Sequence, residues 1–312
     1  MGTPESAVPS LRRLLDDGHK VVAVWTQPDK PAGRGRKLHR SQVKEFALEY
    51  GLTIHQPDKI KTPEARELFA SHRADAAVVV AYGRILPPEF LDAQRYGCLN
   101  VHFSLLPQYR GAAPVNWAIV NGEKENGITI MRIVPELDAG PIFLQRATEI
   151  RDSETAPELM KRLAETGSDL LSETLKGIDH FGPKPQRAQD ATFAPMLKRE
   201  DGLIDWTMDA VAVERRVRGF QPWPNAYTTV YSRRLIIRQA SAELLQQPSV
   251  RPGQIVEAQG DRLLVACGDG TALRLLDLQP EDARRMSARD FLNGFHLKIG
   301  DSLGDVTDGS NV

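Results

Sequence analysis

The 312-residue chain has a net charge of −1, is 41% hydrophobic and 26% charged, and contains two cysteines. That length exceeds what one hydrophobic core ordinarily organises, so two domains are expected. Near-zero net charge excludes a general attraction to nucleic acid, and any such contact must come from local clusters.

Cys98 and Cys267 form no CxxC pair, which argues against a disulfide framework or a cysteine-built zinc site and suits a reducing compartment. The longest apolar run, residues 76–82, is too short to cross a bilayer, and the start lacks a basic-then-apolar export signal. The chain reads as cytoplasmic, with no membrane segment and no metal.

Taken in order, residues 21–26 (VVAVWT) predict a strand, 42–50 a helix, 74–81 a buried strand, 98–101 a short strand and 127–134 (GITIMRIV) another. Leu159, Leu163, Leu170 and Leu175 roughly follow helical spacing after a Thr155 cap, with Gly177 placed to stop the helix. Alternating short strands and helices point to an α/β, Rossmann-like, mainly parallel sheet over residues 1–181. Residues 182–200 mix Pro183, Pro185 and Pro195 with polar residues and read as a linker. Residues 201–312 hold a short helix near 210–218, then closely spaced strands at 227–231, 235–238, 254–258, 263–267 and 273–278. Gly268-Asp269-Gly270 forms a hairpin turn, and Ser287 with Asp290 a capping box before a last helix. This pattern predicts a small OB-like β-barrel.

The chain opens on MGTPE, which has the character of the turn and helix start that follow a first strand, with Leu11, Leu14 and Leu15 continuing as helix. The first strand is thus expected to be missing. A start several apolar residues upstream is expected to be the more stable form.

The densest chemistry lies in residues 100–114, NVHFSLLPQYRGAAP. Asn100 and His102 are two apart at a strand end and share a face. Such ends are where α/β folds build sites. Downstream, PELDAGP at residues 135–141 is a Gly/Pro-bounded loop carrying Asp138. Acyl transfer to an amine needs donors for an oxyanion and a group to take the amine proton. An amide, an imidazole and a carboxylate supply those parts, though each alone is equally a turn cap, a satisfied core histidine or a loop hydrogen bond.

NVHFSLLPQYRGAAP followed by GITIMRIVPELDAGPIF resembles the folate-dependent formyltransferase family. GTPE at the start, QPDKPAGRGRKL at residues 27–38, VVVAYGRILP at 78–87 and FQPWPNA at 220–226 resemble its tRNA-directed branch. The resemblance spans nearly the whole chain. It implies transfer of a formyl group from 10-formyltetrahydrofolate, a cosubstrate, to the amino group of methionyl-initiator tRNA, by a monomeric enzyme. It makes Asn100, His102 and Asp138 the catalytic set. Ser104, Leu105, Leu106 and Pro107 would line the folate pocket with Val80, Tyr82, Gly83 and Leu86. Two positions depart from the pattern: Phe103 stands where the family has glycine, and Tyr109 where it has tryptophan.

Between residues 29 and 44 lie six lysines or arginines against one acid, Asp29. A mobile Arg/Gly loop suits the phosphates and splayed end of an RNA acceptor arm. In the family this loop contacts that end, which singles out Arg34, Arg36 and Lys37. Arg215, Arg216, Arg218, Arg233, Arg234 and Arg238 form a second basic group in the C-terminal domain, where Trp223 is expected to pack rather than stack on bases. Two other functions share the same motif: a sugar-nucleotide N-formyltransferase, and an RNA-binding relative that has lost catalysis.

Overall fold

The structure is a computed structural model that describes residues 1–32, 37–245 and 250–304. Contacts divide the chain into two compact units, neither of them contiguous in sequence. The first takes Met1–Pro114, Glu125–Glu149 and Leu159–Pro195, and the second Val115–Lys124, Ile150–Glu158 and Met196–Val312. The stretch read as a linker is therefore split, with residues 182–195 going to the first unit.

In the first unit β1 (Val24–Trp25) is followed by the hairpin arms β2 (Lys30–Ala32) and β3 (Lys37–His39), and β1 pairs in parallel with β4 (Ile54–His55). β5 (Ala77–Val79) and β6 (Cys98–His102) are parallel neighbours. After the two-residue strand β7 (Arg110–Gly111) the chain adds β8 (Glu125–Arg132) and β9 (Ile142–Glu149), both antiparallel, in the order β5-β6-β8-β9. The sheet is thus parallel only in its first half, where the sequence predicted parallel pairing throughout most of it.

Met1 and Gly2 bridge β1 and β5 through backbone hydrogen bonds. The Met1 amine donates to the Val78 carbonyl at 2.7 Å, Gly2 N to Trp25 O at 3.0 Å, and Val80 N to Met1 O at 2.9 Å. Beside them a cavity of about 670 Å³ is lined by residues including Val21, Val22, Ala23, Ala74, Ala76 and Val78. This explains why the strands predicted at 21–26 and 74–81 are realised only as Val24–Trp25 and Ala77–Val79. Among the described residues no strand neighbours their first residues on the cavity side to complete a ladder.

The long helix Ala156–Lys176 begins as predicted: both the backbone N–H and the hydroxyl of Thr155 donate to Glu158, at 2.9 and 2.7 Å. Behind β1, Trp25 meets the stacked pair Phe69 and Phe90 edge-on, at 5.4 and 5.6 Å. Its indole N–H donates to His72 Nε2 at 3.2 Å, and His72 stacks on His55 at 5.1 Å.

The second unit is antiparallel. β11 (Tyr227–Val230), β12 (Arg233–Leu244), β13 (Ile255–Gln259), β14 (Arg262–Ala266) and β15 (Thr271–Pro280) pair in the order β11-β12-β15-β14-β13. Residues 302–304 join the two edges. Leu303 N donates to Gly253 O at 2.9 Å and Gly304 N to Thr229 O at 3.0 Å, which closes the sheet into a small barrel. The β14–β15 turn carries Asp269 and Gly270 at φ +54° and +65°, the left-handed pair that a type I′ turn requires. Ser287 caps the helix Ala288–Gly294 as expected, accepting from Asp290 N at 3.2 Å.

The barrel core, Leu235, Ile237, Val265, Leu273, Leu275 and Phe291 among others, is fully buried and receives Val213 and Val217 of the helix Ala210–Gly219. Residues 115–124 and 150–158 complete this unit: Asn116 donates to the Gly219 carbonyl at 2.7 Å, Trp117 meets Phe220 edge-on, and Arg218 donates to Glu154 O at 2.9 Å. Trp223 corrects the sequence reading. It is 52% exposed, and Phe220, three residues earlier, is the aromatic that packs.

Burial holds His55 and His72 below the ordinary histidine value of 6.5, and the Met1 amine is pushed down to about 6 for the same reason. All three bind protons more weakly folded than unfolded, so their stabilisation is present at high pH and lost as pH falls. The melting temperature should drop as pH falls from about 8 through about 6, with the histidine share lost below 6.5. His72→Gln keeps an acceptor for Trp25 without titrating, and should flatten the part of that drop below pH 6.5.

Candidate active site

β6 supplies the first side chains. Strand alternation puts Asn100 and His102 on one face, and the register sets them opposite Met131 and Thr129 of β8. Asn100 is half-buried, and its carboxamide has no hydrogen-bond partner among the described residues. The His102 side chain is only 6% exposed. Its Nε2 lies 3.0 Å from the Tyr109 carbonyl. A carbonyl only accepts, so Nε2 carries a hydrogen. Nδ1 faces Asp138 Oδ2 at 3.7 Å.

Asp138 arrives on the loop between β8 and β9. Its φ is +48°, a left-handed conformation that Asp tolerates better than most residues. The Gly111 amide donates to Asp138 Oδ2 at 2.8 Å, the same oxygen that lies 3.7 Å from the histidine ring. Arg132 N donates to Pro141 O at 3.0 Å and closes the loop base.

Residues 184–194 run along this arrangement. Lys184 and Ile142 exchange backbone hydrogen bonds at 2.7 and 2.8 Å. Thr192 Oγ1 accepts from Tyr109 N at 2.9 Å, fixing a residue held at φ +58°. β10 (Phe193–Ala194) pairs in parallel with β7. Sequence reasoning missed these contributors because they act through backbone groups: the Tyr109 carbonyl, the Gly111 amide and the 184–194 segment. The side-chain signals were Gln186, a long amide inside PKPQ, and the Thr192 hydroxyl.

Of the residues assigned to the folate pocket, Val80, Tyr82, Leu86, Ser104 and Leu106 are buried, Leu105 and Pro107 are half-buried, and Gly83 is exposed. Ser104 is committed to the Gln108 carbonyl at 2.6 Å, and Leu106 N to Thr129 Oγ1 at 3.1 Å. The Tyr82 hydroxyl is buried without a partner among the described residues. In the basic loop, Arg34 and Arg36 lie outside the described residues, and the backbone of Lys37 begins β3. Lys44 pairs with Asp29 at 2.6 Å; amides and cations from Gln56 and Lys44 hold the Asp29 carboxyl below the usual range. Several arginines of the second unit are likewise engaged. Arg218 pairs with Glu214 at 2.5 Å, Arg238 donates to Gln279 and Asn225, and Arg234 stacks over Tyr227 at 3.9 Å.

An α/β unit with amide, imidazole and carboxylate gathered at a strand end, followed by a separate antiparallel barrel, is the layout of a group-transfer enzyme. The chain belongs to the formyl transferase family: residues 1–175 match its formyl transferase domain and residues 196–296 its C-terminal domain. It is 47% identical to the methionyl-tRNA formyltransferase of Methylococcus capsulatus over 97% of this chain and 98% of that protein. With the methionyl-tRNA formyltransferase of Bacillus subtilis it shares 42% identity, covering 97% and 96%. Among solved structures, an N-formyltransferase from Helicobacter canadensis in complex with folinic acid and dTDP-3-aminofucose superposes with a TM-score of 0.66. That match is 18% identical, covers 89% of this chain and 97% of the other, and shows a shared fold.

Gly140 tests the loop geometry. A Cβ at this position would land on the Arg132 carbonyl, which is backbone and unable to move aside. Gly140→Ala should destabilise the protein by about 1–3 kcal/mol. It should also speed hydrogen exchange at the Gly111 amide by releasing its bond to Asp138. Unchanged exchange there would mean that the loop holds its place without Gly140.

Proposed function

We propose that the chain transfers the formyl group of 10-formyltetrahydrofolate to the α-amino group of methionyl-initiator tRNA, in the cytoplasm. The observation that carries this reading is the convergence of Asn100, His102 and Asp138. It is supported by the 42–47% identity to methionyl-tRNA formyltransferases over nearly full length. The folate donor brings an already activated formyl group. The residues assigned to it fit such a ligand: Leu105 and Pro107 offer partly open apolar surface, and the Tyr82 hydroxyl is a buried polar atom still lacking a partner among the described residues.

In the reaction the amine nitrogen bonds to the formyl carbon as the carbonyl π pair moves onto oxygen. Asn100, whose amide N–H groups are uncommitted, donates to that developing oxyanion. His102 keeps its Nε2 hydrogen on the Tyr109 carbonyl and presents Nδ1, which takes the amine proton while the Asp138 carboxylate offsets the imidazolium charge. The proton then returns to the departing nitrogen as the bond between it and the formyl carbon breaks.

Arg34, Arg36 and Lys37 are proposed to contact the acceptor end of the tRNA, their arginine and lysine side chains displacing phosphate counterions.

Two measurements test the reading. Asn100→Ala and His102→Ala should each lower turnover on charged initiator tRNA by ~100-fold or more, as loss of a transition-state donor does. Elongator methionyl-tRNA and an amino-sugar nucleotide serve as control acceptors. Wild-type turnover in either variant, or preferred use of the sugar, refutes the proposal. Replacing Arg34, Arg36 and Lys37 together by neutral residues should weaken tRNA binding and flatten its salt dependence, leaving folate binding within about twofold. Unaltered affinity for charged tRNA would remove the loop from the interface.

A further inference from the structure

Gln186 lies outside the family motif residues, yet its carboxamide is fully used. Its Oε1 accepts from Arg110 Nε and Nη2 at 3.2 and 2.7 Å. Its Nε2 donates to the carbonyls of Asp138 and Gly140, both at 2.8 Å. One side chain thus joins a buried guanidinium on β7 to the two peptide groups that flank the turn carrying the Asp138 carboxylate. Among the described residues no other side-chain or backbone group accepts from the Arg110 guanidinium.

The chemistry requires an amide at this position. The two loop carbonyls need N–H donors and Arg110 needs an acceptor, and of the common side chains of this length only glutamine offers both. A carboxylate would keep the arginine and turn lone pairs toward two carbonyls. The need is real because Asp138 sits at φ +48°. A left-handed residue persists only when its surroundings over-determine it.

We infer that Gln186 is a positioning residue for the reaction. It holds the Asp138 peptide so that Oδ2 stays within reach of both the Gly111 amide and His102 Nδ1. This rests on the reading of Asp138 given above. Gln186 touches neither the His102 ring nor the reacting atoms; it acts through the loop.

The test uses the full-length protein with Gln186→Ala, Gln186→Glu, Asp138→Asn and the double variant Asp138→Asn with Gln186→Ala. Turnover is measured at saturating donor and charged initiator tRNA, alongside KM for tRNA, folate affinity and thermal melts. Gln186→Ala should lower kcat by ~10–100-fold, the scale of a small misplacement of catalytic groups, with KM and folate affinity within about threefold. Gln186→Glu retains the arginine pairing and should stay equally slow. The double variant should be no slower than Asp138→Asn alone, because both changes remove one function.

Full activity in Gln186→Glu would show that only the Arg110 contact matters and would overturn the proposal. So would losses that multiply in the double variant while Asp138→Asn is itself slow. Should Gln186→Ala fail to melt cooperatively, Gln186→Glu decides by the same criterion. Near-normal turnover in Asp138→Asn would overturn the reading of Asp138 itself and this inference with it, a pattern the Gln186 variants do not produce.

Discussion

The hydrogen bond from the Gly111 amide to Asp138 Oδ2, 2.8 Å long, joins two loops that leave different strands and would otherwise be independent. Each loop contains a non-glycine residue in left-handed backbone, Tyr109 at φ +58° and Asp138 at φ +48°, and such residues relax unless held. Tyr109 is held by Thr192, and its carbonyl in turn fixes the tautomer of His102. Asp138 is held by Gly111 on one side and Gln186 on the other. A rigid strand therefore positions Asn100 and His102, and a web of backbone hydrogen bonds brings the carboxylate to them. The proposed chemistry needs placement to a fraction of an ångström, and backbone hydrogen bonds supply it at low entropic cost.

What was legible in the sequence follows from which groups do the work. Asn100 and His102 could be paired on one face because strand alternation is a strict rule. The caps at Thr155 and Ser287 and the Asp269-Gly270 turn were legible because each rests on local hydrogen bonding. The shortened strands at 21–26 and 74–81 were hidden, since apolar content sets strand potential but a neighbour is needed to realise it. The antiparallel course of β8 was hidden too, because periodicity carries no direction. Residues 182–195 read as linker for lack of a period. Their contacts to the site are made by main chain, the Gln186 amide and the Thr192 hydroxyl, which leave no hydrophobic signature. Trp223 was misjudged on size, where the buried place in the same turn belongs to Phe220.

Charge on the second unit is less available than its composition suggests. Arg218, Arg234 and Arg238 spend their guanidinium groups on Glu214, on the Tyr227 ring and on Gln279 with Asn225. Burial and neighbouring arginines hold Arg238 below the ordinary arginine value, so the local field is already crowded with positive charge. In the first unit Lys44 is similarly bound to Asp29. Counting basic residues overstates a nucleic-acid surface whenever the side chains are structural, and partners must be assigned before charge is counted.

The interleaved course of the chain bears on how the protein is made. The barrel unit needs residues 115–124 and 150–158, which leave the ribosome some forty to eighty residues before Met196 does. Trp117 waits for Phe220, and Asn116 for the carbonyl of Gly219, about a hundred positions later. At ~5–20 residues per second this is a delay of several seconds, during which the helix Pro114–Val120 has apolar surface uncovered. Nascent chains paused in this interval are the form most exposed to chaperones and to aggregation. A fragment cut at residue 196 would inherit the same deficiency permanently.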